Sequence, residues 1–149
     1  MQFSEVFTSK SKIQLDKKTL VILRWLAILG QYATIGIVYF IFNFEFKFYY
    51  CSIIIFFGLL TNLYLQFTIK DKQLNNLSST FFLFYDLLQL TALLYLTGGI
   101  TNPFTILLII PSIVSSTFLT LKSTINLSIL TIIILIVLTL SHEPLPHTE

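Results

Sequence analysis

The 149-residue chain is 55% hydrophobic and 11% charged, with a mean hydropathy of +0.84, so it lacks the polar residues needed to cover a water-facing surface. The formal net charge of +2 is too small and too scattered for a nucleic-acid partner. A single cysteine, Cys51, excludes an internal disulfide and a cysteine-rich metal site.

These features describe an all-α, polytopic helix bundle in the lipid bilayer. A spanning helix needs roughly 20 mostly apolar residues, and five stretches qualify. After a polar segment at 1–18, the first span runs over 19–42; it is too long for a cleavable signal peptide, and no small-residue cleavage site follows it. The second covers 48–69, the third 80–97, the fourth 104–121 with Pro111 inside it, and the fifth 124–140, almost pure Ile, Leu and Thr. A polar tail, 141–149, closes the chain.

Orientation follows from the lysines and the arginine in the short loops. Lys10, Lys12, Lys17, Lys18 and Arg24 precede or open span one, Lys70 and Lys72 separate spans two and three, and Lys122 separates four and five. The intervening loops hold Lys47 alone, and both "GGITNPF" and "SHEPLPHTE" hold no Lys or Arg. The alternation predicts a cytoplasmic N-terminus, with the Gly98 turn and the tail facing outward. Five spans leave a polar stub outside, so the chain is expected to be a fragment with a sixth span beyond Glu149.

The stretch "LTGGITNPFT", Leu96 to Thr105, interrupts the apolar runs. Gly98 or Gly99 is expected to end helix three, because glycine takes the left-handed C-cap conformation without steric cost. Asn102 as N-cap and Pro103 at the first helical position are a strong start signal for helix four, whose N-terminal N–H groups then point at whatever lies beside the turn. A well-capped turn with no further role explains the same residues.

Helix three adds a second feature. At about 100° per residue, Asp86, Gln89, Leu93 and Thr97 fall on one stripe, and Asp86 lies ~16 Å inward of Thr97 at the helical rise. An ionisable side chain at that depth is protonated, paired or facing a cavity, and marks a candidate functional site; structural hydrogen bonding to a neighbouring helix is the alternative. Arg24 and Gln31 share a face of helix one. Arg24 sits about one turn inside the cytoplasmic end, so it is expected to snorkel to the interface rather than reach inward to Asp86. Pro111 frees a carbonyl in helix four, with Ser112, Ser115, Ser116 and Thr117 available to satisfy backbone groups beside a kink. Trp25, Tyr49 and Tyr50 suit the interfacial belts. His142 and His147, isolated by prolines, are a weak metal signal, and no metal site is expected.

Four stretches, "LRWLAILGQ" from Leu23, "DLLQL" from Asp86, "LTGGITNPF" from Leu96 and "HEPLP" from His142, together resemble the N-terminal membrane region of the RegB/PrrB redox-sensing histidine kinases. Gly98, Gly99, Ile100, Thr101, Asn102, Pro103 and Phe104 fill that family's GGxxNPF signature. The resemblance implies six spans followed by a cytoplasmic phosphoacceptor helix and an ATP-binding kinase domain, dimerisation, and phosphotransfer to a response regulator. It also implies that the GGxxNPF segment senses the ubiquinone pool. Gly98, Gly99, Asn102, Pro103 and Phe104 thereby become candidate quinone contacts, joined by Asp86 and Gln89 from the depth argument. No catalytic residue is assigned: the chain holds neither a phosphoacceptor segment nor glycine-rich nucleotide boxes, so ATP belongs to the missing kinase domain. Cys51, in span two, does not inherit the family's redox cysteine.

A quinone head is flat, has apolar faces and carries two carbonyl acceptors. The helix-four N–H groups and Asn102 are candidate donors to one carbonyl, Phe104 a stacking partner, and Asp86 or Gln89 a partner for the other oxygen. A transporter or channel module lined by Asp86 and Gln89, or a structural membrane protein with "GGITNPF" as a plain turn, are the competing readings. The transporter reading lacks an inverted repeat and paired broken helices.

Overall fold

The computed structural model describes residues 15–147; the lysines at 10 and 12 lie outside them, as do Thr148 and Glu149. Helix α1, Lys17–Gly36, continues as a π-helical turn, Ile37–Ile41. Then follow α2 at Phe48–Thr68 and α3 at Asn76–Leu96, a short 3₁₀ turn at Gly99–Thr101, a 3₁₀ segment at Pro103–Ile109 that runs into α4 at Ile110–Phe118, and α5 at Leu121–Leu140. Four of these helices, Lys17–Ile41, α2, α3 and α5, are long and apolar enough to cross a membrane. The molecule is a polytopic helical membrane bundle.

The caps explain where helices begin. Asn75 accepts from the Ser78 N–H, so α3 starts at Asn76, four residues before the expected Thr80. Thr120 likewise accepts from the Ser123 N–H, which starts α5 at Leu121 and draws Lys122 into its first turn.

The fourth apolar segment, Pro103–Phe118, is shorter than the others, and Pro111 accounts for its form. Proline has no N–H to give the Leu107 carbonyl and its ring crowds that carbonyl; the Ile110 N–H bonds Leu107 instead, an i→i+3 contact that keeps the preceding seven residues in 3₁₀ geometry. Seven residues at ~2.0 Å and the nine of α4 at ~1.5 Å reach roughly 28 Å, close to the ~30 Å hydrocarbon core. Two of the four hydroxyls expected to satisfy local backbone groups do so. Ser116 and Thr117 both donate to the Ile113 carbonyl, Ser115 bonds Thr124 at 3.0 Å, and the Ser112 hydroxyl is buried without a partner among the described residues.

Helix α3 is the hub and contributes to all three apolar clusters: Leu83 to one with Leu20, Leu65 and Leu127, Leu93 to one with Ile28, Cys51 and Ile55, and Leu87 and Leu94 to one with Leu108, Ile134 and Leu138. Large apolar side chains such as Leu26, Phe67, Ile106 and Leu140 stay exposed on the outer faces, as a lipid-facing surface requires. At the Lys17 end, antiparallel backbone bonds join Lys17 N–H to Lys72 and Leu74 N–H to Leu15.

The tail is not a free stub. It crosses the Gly98 end of the bundle, where the Glu143 N–H donates to Tyr95, the Glu45 N–H donates to His147, and Lys47 pairs with Glu143 at 2.7 Å.

Candidate functional site

The turn at the Gly98 end forms as its residues predict. Gly98 and Gly99 take left-handed conformations, φ +115° and +54°. Asn102 caps the next segment, accepting from the Phe104 N–H at 2.9 Å, and Pro103 stands at its first position. Asn102 is also occupied by the turn as a donor: its amide nitrogen lies 2.9 Å from both the carbonyl and the hydroxyl of Thr97. The Thr105 N–H goes to the Asn102 carbonyl. The donors expected to face a ligand here are therefore used by the turn itself.

Beneath the turn lies a cleft of about 700 Å³, within the range of small-molecule sites. Its walls come from α1, from α3 and from the fourth segment; Asp86, Gln89, Leu93 and Thr97, the stripe expected on helix three, line one of them. Asn102, Pro103 and Phe104 border it at the turn end. Gly98 and Gly99 do not line it. A methyl group on Gly98 would overlap Leu145, and one on Gly99 would overlap His142, so these glycines seat the tail instead. Leu23, Leu26, Leu107 and Ile110 line the cleft and are also exposed; standing on membrane-spanning segments, they open its mouth toward hydrocarbon.

The floor of the cleft is polar and overturns one expectation. Arg24 does not snorkel away: it is 4% exposed and pairs with Asp86, Nη2 to Oδ1 at 2.9 Å and Nε to Oδ1 at 3.0 Å. Arg24 stands roughly 10 Å along α1 from Lys17, and Asp86 roughly 15 Å along α3 from Asn76. Side chains lean toward a helix N-terminus, so Asp86 leans down while the long guanidinium stem closes the rest. Nη2 also donates to Thr61 Oγ1 at 2.7 Å, and the Phe82 and Tyr85 rings lie 5.2 and 5.7 Å from the guanidinium carbon.

A second cross-link lies deeper, where Gln89 Nε2 donates to Gln31 Oε1 at 3.0 Å. Gly58 makes room for it, since a methyl group there would overlap the Gln89 amide. Residue spacing alone points to neither Thr61, Gly58 nor the Gln31–Gln89 pair, and the Arg24–Asp86 pair is the opposite of what it predicts. A signal existed: Arg24 and Gln31 share a face of one helix, and Asp86 and Gln89 share a face of another. A permanent charge next to a carboxyl group at comparable depth is an ion-pair candidate whenever the two helices run parallel.

The model of the PilS-like transmembrane domain matches residues 20–148. The chain is 31% identical over 129 residues to the sensor histidine kinase RegB of Cereibacter sphaeroides, a match that covers 86% of this chain and 28% of that protein. No solved structure matches.

Proposed function

The chain belongs to the PilS-like transmembrane domain family, and we propose that it is the membrane input of a sensor histidine kinase that reads the redox state of the ubiquinone pool. The cleft carries this reading: it combines apolar walls sized for a ring, a mouth toward hydrocarbon for an isoprenoid tail, and a buried polar floor. Phe104 and Pro103 flank the ring, Asp86 and Gln89 face its oxygens, and Gly98, Gly99 and Asn102 hold the wall in shape. The family likeness to RegB supports the kinase assignment.

The chain spans 28% of that relative; the ATP-binding and phosphoacceptor parts, the homodimer and the response regulator belong to a longer protein. Lys17, Lys18, Lys70, Lys72 and Lys122 collect at one end of the bundle, while Lys47 at the other is paired with Glu143. This asymmetry supports a cytoplasmic N-terminus in a bacterial inner membrane.

A signal requires that quinone and quinol favour two arrangements unequally. Helices α1 and α3 are bridged across the cleft by the Arg24–Asp86 and Gln31–Gln89 links. A ring entering there loads these links and the 3₁₀ segment beside them, a geometry often found at hinges.

Trp25, the sole tryptophan, neighbours Arg24 in sequence and is the natural reporter. Titrating the chain in nanodiscs with a short-tailed ubiquinone should quench Trp25 along a saturating curve. Linear quenching, identical to that of a membrane-dissolved tryptophan analogue, would overturn quinone binding. For the kinase assignment, the gene beyond the Glu149 codon should encode a further apolar span and then a histidine-containing amphipathic helix; a stop codon there would contradict it.

A further inference from the structure

The segment that crosses the Gly98 end of the bundle lies on the cleft as well as on the turn. Leu145 and Pro146 line the cleft, together with Val38 near the end of the first helix and Phe44 and Phe46 in the loop that follows it. Three kinds of contact hold residues 142–147 there. Backbone bonds run from the Glu143 N–H to Tyr95 at 2.8 Å and from the Glu45 N–H to His147 at 2.7 Å. The Lys47–Glu143 ion pair, at 2.7 Å, fastens the segment from the side. Gly98 and Gly99 receive Leu145 and His142 in spaces that a methyl group would fill.

These fastenings are weak. The Lys47 and Glu143 side chains are 49% and 33% exposed, and an ion pair open to solvent contributes little. Among the described residues, no side chain of 142–147 joins the three apolar clusters. A segment with few buried apolar contacts opens far more readily than the helices beneath it. It is nevertheless stiff: Pro144 and Pro146 fix their own φ and favour extended backbone at Glu143 and Leu145. It therefore moves as one piece about Ser141, where α5 ends. We propose that residues 142–147 are a lid over the outer end of the cleft, latched by Lys47 and Glu143 and seated on Gly98 and Gly99. While the lid is seated, the cleft is closed to the outer water and exchanges its contents through the mouth toward hydrocarbon. When the lid lifts, the outer end becomes wet. This goes beyond the quinone reading and holds whatever the cleft binds.

The test is thiol labelling of a Val38→Cys variant in nanodiscs, in a Cys51→Ala background that removes the one native thiol. Two reagents are compared: a sulfonated maleimide, which does not enter lipid, and N-ethylmaleimide, which does. With the lid intact, the sulfonated reagent should label slowly and N-ethylmaleimide readily. Glu143→Lys sets two cations together at the latch and should speed the sulfonated reagent about fivefold, the scale of one exposed ion pair. Adding Lys47→Glu to that variant swaps the charges and should return the rate to within about twofold of its starting value. Gly99→Ala drives a methyl group into His142 and should speed the reagent about tenfold, as a strained seat lets go. In each opened variant N-ethylmaleimide should change less than the sulfonated reagent. The proposal is overturned if the sulfonated reagent labels the intact-lid protein as fast as the Glu143→Lys variant. It is equally overturned if the charge swap fails to restore protection, or if no variant admits that reagent. Should Gly99→Ala lose its helical circular dichroism, the latch variants decide, since their side chains lie at the surface. The Trp25 titration reads quinone binding separately, so its failure leaves the lid result standing, and the reverse.

Discussion

The turn at Gly98–Phe104 and the floor at Arg24–Asp86 sit on the same cleft yet handle their polar groups in opposite ways. The turn consumes its own: Asn102 uses its oxygen on Phe104 and its nitrogen on Thr97, and the Thr105 hydroxyl takes the Gly99 carbonyl. Among the described residues, the floor leaves a donor of Arg24 without a partner. A self-satisfied motif builds architecture, whereas unspent valence in an apolar setting marks a place where a ligand gains most from arriving. The recognisable heptapeptide therefore shapes the cleft, and residues outside it supply most of the contrast in chemistry.

Several substitutions break or sharpen this contrast. The largest effect belongs to the floor. Arg24→Leu or Asp86→Leu alone strands a buried charge and should cost about 3–5 kcal/mol in thermal unfolding followed by helical circular dichroism, while the double variant recovers much of that loss. Equal losses in single and double variants would show that the pair contributes packing and no ion-pair coupling.

Next comes the seat of the tail. Gly98→Ala places a side chain at φ +115° and against Leu145, whose Cα would be 3.2 Å away. A loss of about 1–3 kcal/mol is expected for the strained backbone, with protease cleavage appearing within residues 141–147; a tail that stays protected would contradict the seating. Asn102→Ala should cost about 1 kcal/mol as a lost cap and leave quinone affinity nearly unchanged. Phe104→Ala should do the reverse, weakening quinone about two- to tenfold, as a lost aromatic contact does, with little effect on unfolding.

The smallest effect is at the rim. Glu143 bonds Lys47 and raises its pKa above the usual lysine value. A raised pKa contributes stability that is present through neutral pH and is lost as pH rises past the ordinary value of 10.5. The pair is exposed, so Lys47→Ala should shift the unfolding midpoint barely at all near neutrality, and any difference from wild type should vanish above that range.

The helices were legible because composition leaves few alternatives: apolar runs near 20 residues, separated by short polar loops and by Asn102-Pro103, read as membrane helices, although the caps at Asn75 and Thr120 start α3 and α5 four and three residues before the expected positions. The turn was legible because Gly98 and Asn102 do local work that depends on nearest neighbours. The 3₁₀ stretch was not, since Pro111 signals a break without saying whether the chain kinks or tightens. Spacing places Arg24 and Asp86 within about 5 Å of one depth on parallel helices, but the reach of a guanidinium stem and the lean of both side chains decide whether they meet. The docking of His142 to His147 across the bundle end was hidden for another reason: a short polar segment with two prolines has no periodicity to read, and its partners, Glu45, Tyr95 and Gly99, are distant in sequence.

Photo-crosslinking with an azido-quinone in nanodiscs, followed by peptide mapping, tests most directly whether the ring sits on the floor of the cleft. Label is expected on the stretches around Leu23–Gln31 and Leu83–Gln89, displaced by excess unlabelled quinone. Label confined to the Gly98 turn and the tail, or spread without displacement over exposed side chains such as Phe67 and Leu140, would contradict it.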